Sequence, residues 1–153
     1  PHSDRHLLYI PWGNRDTLLV TKEQFNEDLK NNIIALRKAG LKKQEPRWFL
    51  APYEWYNSAI SRWSEEMGMT LVNFTPGTGT NADYTTPEMA GYRSSDQLVQ
   101  RLSSFEESTP GGLNGAIILI HPGTAPERTD KLWSRLEEII SYYSDKGYTF
   151  SIF

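Results

Sequence analysis

Cysteine is absent from the 153-residue chain. Disulfides, thiol nucleophiles and cysteine metal sites are therefore excluded. A basic surplus is also missing. Sixteen Lys and Arg stand against nineteen Asp and Glu, for a net charge of −3 and a pI near 5.6. With no surplus of cations to neutralise phosphates, nucleic acid is not an expected partner. No stretch approaches the roughly 20 apolar residues of a membrane span, so none is expected. The clearest apolar run, Ala116-Ile117-Ile118-Leu119-Ile120, is far shorter. Histidine is scarce as well: three residues, His2, His6 and His121.

Apolar residues make up 38% of the chain, enough for a folded core. The length fits one domain or a piece of one. Five Trp and eight Tyr are many for this length. Aromatic side chains line sugar sites, but core packing is their commoner use.

Helical and strand patterns alternate along the chain. Residues 7–19 are irregular, with a turn signal at Pro11-Trp12-Gly13-Asn14. Thr21 to Gln24 fits a capping box, and Phe25, Leu29, Ile33 and Leu36 share the face of a helix that Gly40 closes. Trp48 to Ala51 reads as a short strand stopped by Pro52. Tyr56, Ile60, Trp63 and Met67 form a second helical stripe ended by Gly68, and Thr70 to Phe74 a second strand. Residues 75–91 read as a loop. Its Pro76-Gly77-Thr78-Gly79-Thr80 stretch is no phosphate loop, since no Gly-Lys-[Ser/Thr] follows, and is expected to be mobile. Leu98, Leu102 and Phe105 mark a third helix. Ala116 to Ile120 is expected as a third strand. A fourth helix is expected from Thr129 to Lys146, with Leu132, Leu136, Ile139 and Tyr143 inward. Thr149 to Phe153 is expected as the last strand. Helix–strand alternation implies α/β organisation, with parallel strands and helical crossovers. Four strands are too few to close a barrel. The chain therefore reads as the C-terminal part of a larger α/β barrel, beginning just before His2.

The histidines carry the chemistry. His2 and His6 are four positions apart, and in a helical turn they would share a face with β-carbons about 6 Å apart. Two imidazoles so placed can converge on one metal ion, zinc being the default for nitrogen ligands with an open position. Asp4, roughly 200° around the same turn, would point away. The competing reading is a solvated turn. His121 ends the most apolar run, where α/β folds place their chemistry at strand C-termini; the competing reading is a core histidine.

Three short motifs coincide in order. His2-Ser3-Asp4-Arg5-His6 resembles the H-[ST]-x-x-H motif of the polysaccharide deacetylases, carbohydrate esterase family four, also called the chitooligosaccharide deacetylase homology domain. Leu50-Ala51-Pro52-Tyr53 resembles that family's R-x-P-[YF] motif, and Leu119-Ile120-His121 its L-x-H motif. The resemblance covers essentially residues 1–153. It implies a distorted (β/α)7–8 barrel of parallel strands alternating with helices, of which this chain is an N-terminally incomplete deacetylase-like domain. It implies metal-assisted removal of acetyl groups from a polysaccharide or oligosaccharide, by N- or O-deacetylation, and extracytoplasmic action. His2 and His6 would ligate a divalent metal, most simply zinc. His121 would be the general acid, and Tyr53 a groove residue whose backbone N–H helps hold the oxyanion. Pro52, Tyr53, Trp55 and Leu119 would contact sugar. Asp83, in Asn81-Ala82-Asp83-Tyr84, would stand where the family has an aspartate orienting the acid histidine, although an Asp there also suits a turn.

The departures are equally specific. The family's T-F-D-D motif, source of the base and a third metal ligand, is absent from this sequence, and Leu50 replaces the motif arginine. Arg47 and Arg93 are the candidate substitutes, with Arg47 better suited to a surface turn. The expected partners are an acetylated carbohydrate and either the missing N-terminal segment or a second copy of the chain. The alternative function is a catalytically inactive carbohydrate-binding or structural remnant.

Overall fold

A computed structural model of the chain describes residues 1–41 and 46–151. They fall into two compact units, Pro1–Asn73 and Phe74–Phe153. No helix among the described residues is long and apolar enough to cross a membrane.

The first unit is built around a short parallel pair. Strand β1 (Trp48–Leu50) lies beside β2 (Thr70–Val72), with Phe49 opposite Leu71. On β1, the Leu50 N–H donates to the Pro1 carbonyl at 3.2 Å, which fixes the start of the chain alongside the strand. Helix α1 (Lys22–Lys38) starts at the expected capping box. The Thr21 hydroxyl accepts from the Gln24 N–H, and the Gln24 side chain accepts from the Thr21 N–H. Its apolar stripe buries Phe25, Leu29 and Ile33. Helix α2 (Ser58–Glu66) is capped by Asn57, whose side chain accepts from the N–H groups of Ala59 and Ile60. Gly68, at φ 77°, turns the chain out of it into β2, a backbone angle that suits glycine. The core joins Tyr9, Ile10, Phe25, Leu29, Phe49, Ala51, Ile60 and Met69. Tyr9, Phe25 and Phe49 meet as tilted and edge-to-face rings, with the Tyr9 and Phe25 centroids 5.2 Å apart.

The second unit is organised by two helices. Helix α3 (Ser95–Ser108) opens on a second capping box, Ser94 with Gln97. Helix α4 (Leu136–Asp145) follows a 3-10 turn at Leu132–Arg135. Leu98, Leu102, Leu132, Ile139 and Tyr143 form the core. The long loop before α3 is packed down rather than open: Thr78, Thr80 and Asp83 are fully buried. A 3-10 turn runs from Thr80 to Tyr84. Gly77 (φ 96°) and Gly79 (φ 80°) adopt backbone angles there that favour glycine, and a Cβ at Gly77 would also meet the Phe105 ring at 2.9 Å. Fully buried Arg128 braces the same loop, donating to the carbonyls of Thr85 (2.7 Å) and Arg93 (3.0 Å).

Several expectations need correction. Ala116–Ile120 is half-buried but forms no strand. Thr75 replaces part of the ladder: its N–H donates to the Ile117 carbonyl, while its hydroxyl accepts from the Ile117 N–H, each at 2.9 Å. Residues 149–151 are not a strand either, and Ile152 and Phe153 lie outside the described residues. Among the described residues the parallel pairing is therefore two-stranded. The fourth helix begins at Leu136 rather than Thr129, because the Lys131 ammonium binds the Thr124 and Ala125 carbonyls and holds residues 124–131 in a turn. Leu136, expected inward, is 43% exposed.

Candidate functional site

His2 and His6 do not lie on a helix. They bracket a tight loop in which Ser3 (φ 143°) and His6 (φ 52°) adopt backbone angles unfavourable to side chains. Strain of this kind costs roughly 1–3 kcal/mol per residue and persists only where the surroundings enforce it. Here helix α1 enforces it. The buried carboxylate of Asp28 accepts from the Ser3 hydroxyl (2.5 Å) and from the N–H groups of Asp4 (3.3 Å) and Arg5 (2.9 Å). One turn on, the Asn32 side chain accepts from the His2 N–H (3.2 Å) and donates to the Ser3 carbonyl (2.8 Å). The Ser3 hydroxyl in turn accepts from the His6 N–H at 2.9 Å.

The loop brings the two imidazoles together despite the absence of a helix. Their Nε2 atoms are 3.1 Å apart. His2 Nδ1 lies 2.9 Å from the Leu50 carbonyl oxygen, which can only accept; Nδ1 is therefore the protonated nitrogen, and the Nε2 lone pair points toward His6. Two ring nitrogens this close share either a proton or a cation. Nitrogens bonded at about 2.0–2.1 Å to one tetrahedral zinc would stand roughly 3.3 Å apart, so the pair fits two ligands of such an ion. A carbonyl fixing the remote nitrogen is the usual support for a metal-bound imidazole. Among the described residues, no cluster of three or more His, Cys, Asp or Glu suits a metal.

Beside this pair, Pro52–Glu54 form a turn in which Tyr53 (φ 58°, ψ 11°) and Glu54 (φ 53°) are left-handed. This conformation sets the Tyr53 ring against His6, with centroids 4.5 Å apart. Pro52 is buried, and Tyr53 is 44% exposed. Trp55 is half-buried, its indole N–H donating to the Pro11 carbonyl at 3.2 Å. Trp12 touches both the Tyr53 and Trp55 rings. Arg47 is exposed, as its turn position implied.

In the second unit the structure brings Asp83 and His121 together. Asp83 is fully buried, and one of its oxygens lies 2.6 Å from His121 Nδ1. The other accepts the His121 backbone N–H at 2.8 Å. A carboxylate can only accept from a ring nitrogen, so it places the Nδ1 proton and fixes the ring plane. The Tyr84 ring stands edge-on to His121 at 5.8 Å. Leu119 is half-buried in the apolar run that ends at His121. Arg93 is half-buried and lies against Tyr92, its Nη1 donating to the Tyr92 carbonyl.

Sequence reasoning missed Asp28, Asn32 and Trp12. The signal for the first two was present: both fall within the stripe of α1 defined by Phe25, Leu29, Ile33 and Leu36. A polar residue at an inward helical position calls for a buried partner.

No protein-family profile matches the chain, and no curated protein matches it. Solved structures do. The wild-type BA3943 of Bacillus anthracis, described as a CE4 family pseudoenzyme, superposes with a TM-score of 0.64 at 20% identity. It covers 97% of this chain and 42% of its own. A mutant of that protein, described as having restored enzymatic activity, gives 0.64 at 19% identity, covering 97% and 43%. The chain thus spans less than half the length of these structures. The likeness establishes a CE4-like fold of mixed helix and strand.

Proposed function

We propose that this chain carries the histidine ligands and the acid histidine of a carbohydrate deacetylase of the CE4 type, acting on an acetylated polysaccharide or oligosaccharide. The observation that carries the reading is the imidazole pair, two ring nitrogens 3.1 Å apart held by a strained, fully anchored loop. The (β/α) barrel belongs to the same proposal.

His2 and His6 would hold a divalent metal, zinc by the nitrogen character of the donors. Such an ion would polarise the acetyl carbonyl and acidify its water; the proton would pass to the base that the family's T-F-D-D motif supplies, a motif this sequence does not contain. His121 keeps one proton on Nδ1, against Asp83, and delivers the other from Nε2 to the departing amine or alkoxide. Asp83 acts by position, holding the ring so that Nε2 is the transferring atom. The left-handed turn at Tyr53 presents its backbone N–H to the oxyanion, while Pro52, Trp55 and Leu119 contact sugar.

One observation favours a second reading. The described residues give no third protein ligand to the imidazole pair, and Leu50 stands where the family motif has arginine. A chain with this arrangement would bind metal and carbohydrate without turning over. Acetate release from tetra-N-acetylchitotetraose by the zinc-loaded protein separates the two. Where the base is also supplied, turnover is expected, and His121→Ala should lower kcat by roughly 10²–10⁴ with zinc content unchanged. Zinc and sugar binding without acetate release would establish the second reading. Loss of folding in His121→Ala would make His121 a core residue.

A further inference from the structure

We infer that Trp12 is a sugar-stacking platform, so that the carbohydrate-binding surface of the first unit extends beyond the imidazole pair onto the loop after Ile10; this rests on the carbohydrate reading above. Trp12 is 61% exposed, more than any other large apolar side chain among the described residues. A lone exposed Trp would need no explanation. This one continues a row of rings that begins at the imidazole pair. His2 and His6 meet at 4.9 Å between centroids, His6 and Tyr53 at 4.5 Å, and Tyr53 and Trp12 at 5.7 Å.

The platform is also rigid before any ligand arrives. Trp12 leans on Trp55 at 5.7 Å and 32°. Trp55 is pinned through its indole N–H to Pro11, the residue preceding Trp12, and carries the Arg15 guanidinium 4.0 Å from its ring centre. Arg15 Nη1 donates to the Tyr56 carbonyl at 3.3 Å, and the Arg15 carbonyl accepts from the Asn57 side chain at 2.9 Å. The Asn14 N–H closes the turn onto Pro11 at 3.3 Å. A loop held from both sides, with its largest apolar ring left facing water, has the form of a preorganised binding surface. The apolar face of a pyranose ring suits it. The row lies beside the site where an acetyl group would be attacked, and sugar C–H groups pack well on indole. Trp12 does not belong to the buried core of the unit, so the core does not need it.

The test is titration of the full chain with tetra-N-acetylchitotetraose, followed by NMR on the indole N–H resonances and by calorimetry, in parallel with a zinc competition titration. The Trp12 indole signal is expected to shift on sugar addition. Trp12→Ala should weaken sugar binding about three- to tenfold, and Trp12→Phe should restore part of that loss. Zinc affinity should be unchanged in both variants, and both should keep a cooperative melt. Equal sugar affinity in Trp12→Ala and the parent would overturn the platform, as would an unmoved Trp12 signal. Neither result would touch the metal assignment, which the zinc titration reads separately. If zinc binding fails while the Trp12-dependent sugar binding persists, the platform stands and the deacetylase reading falls.

Discussion

At the scale of single residues, Asp28 holds the loop that carries the imidazole pair. Its carboxylate is fully buried and receives one hydroxyl and two backbone N–H groups from the loop that carries His2 and His6. The Arg5 side chain also approaches, at 3.4 Å, but its side chain is 53% exposed, so that ion pair contributes little. The value of Asp28 lies in the backbone angles it enforces at Ser3 and His6. Asp28→Ala would leave these donors without a partner in a covered setting, at a cost of about 2–3 kcal/mol. It should also lower zinc affinity about 10- to 100-fold, the usual effect of removing a group that orients metal ligands. Asp28→Asn, which retains one acceptor oxygen, should fall between. Urea denaturation and zinc competition on the same samples check both effects. Lost stability with unchanged zinc affinity would mean the loop does not set the ligand geometry.

At the scale of elements, charge placement gives the second unit a defined acid limit. Glu106, near the end of α3, accepts from Lys146 and from the Tyr148 hydroxyl. The hydrogen bond from Lys146 holds its carboxyl below the usual range. The hydrogen bond from Arg135 does the same for Glu138 at the start of α4. Because the folded values are depressed, the unfolded chain takes up protons first as the pH falls. Stability from these pairs is fully present above about pH 4.5 and is lost as the pH drops through the lower folded values. Glu106→Gln should therefore flatten the acid limb of a melting-temperature profile between about pH 5 and pH 3, and added salt should reduce the difference. A profile unchanged by the substitution would remove the α3–α4 tie from the account.

The start of α1 and the end of α2 were legible in the sequence, because capping is local chemistry, whereas α4, which has no side-chain cap, was placed too early. Thr21 with Gln24 announced α1, and Gly68 closed the α2 stripe. The strands were less legible. An apolar run states that a segment is covered, not that a partner strand lies beside it, and at Ala116–Ile120 the Thr75 hydroxyl takes a place that strand backbone would fill. The histidine pair was legible for an incomplete reason. Its spacing suggested a helical face, whereas the convergence arises from a left-handed loop tied to two polar side chains of α1. Those ties join residues some thirty positions apart, such as His2 and Asn32, which no local pattern encodes.

At the scale of the whole molecule, 97% of the chain matches the fold of proteins more than twice as long as the part matched. The run Ala116–Ile120 is apolar yet covered only in part, a composition that favours association. Size-exclusion chromatography with light scattering is expected to show pairing with a second copy. A stable, monodisperse 17.6 kDa species would refute that expectation.

The imidazole pair is the centre of the functional account, and metal content reads it without requiring turnover. Equilibrium dialysis against zinc, followed by elemental analysis of the whole chain and of the doubly substituted His2→Ala/His6→Ala chain, is the most direct measurement. One zinc per parent chain and almost none in the variant is the predicted result. Equal zinc in the two proteins, or none in the parent, would contradict it.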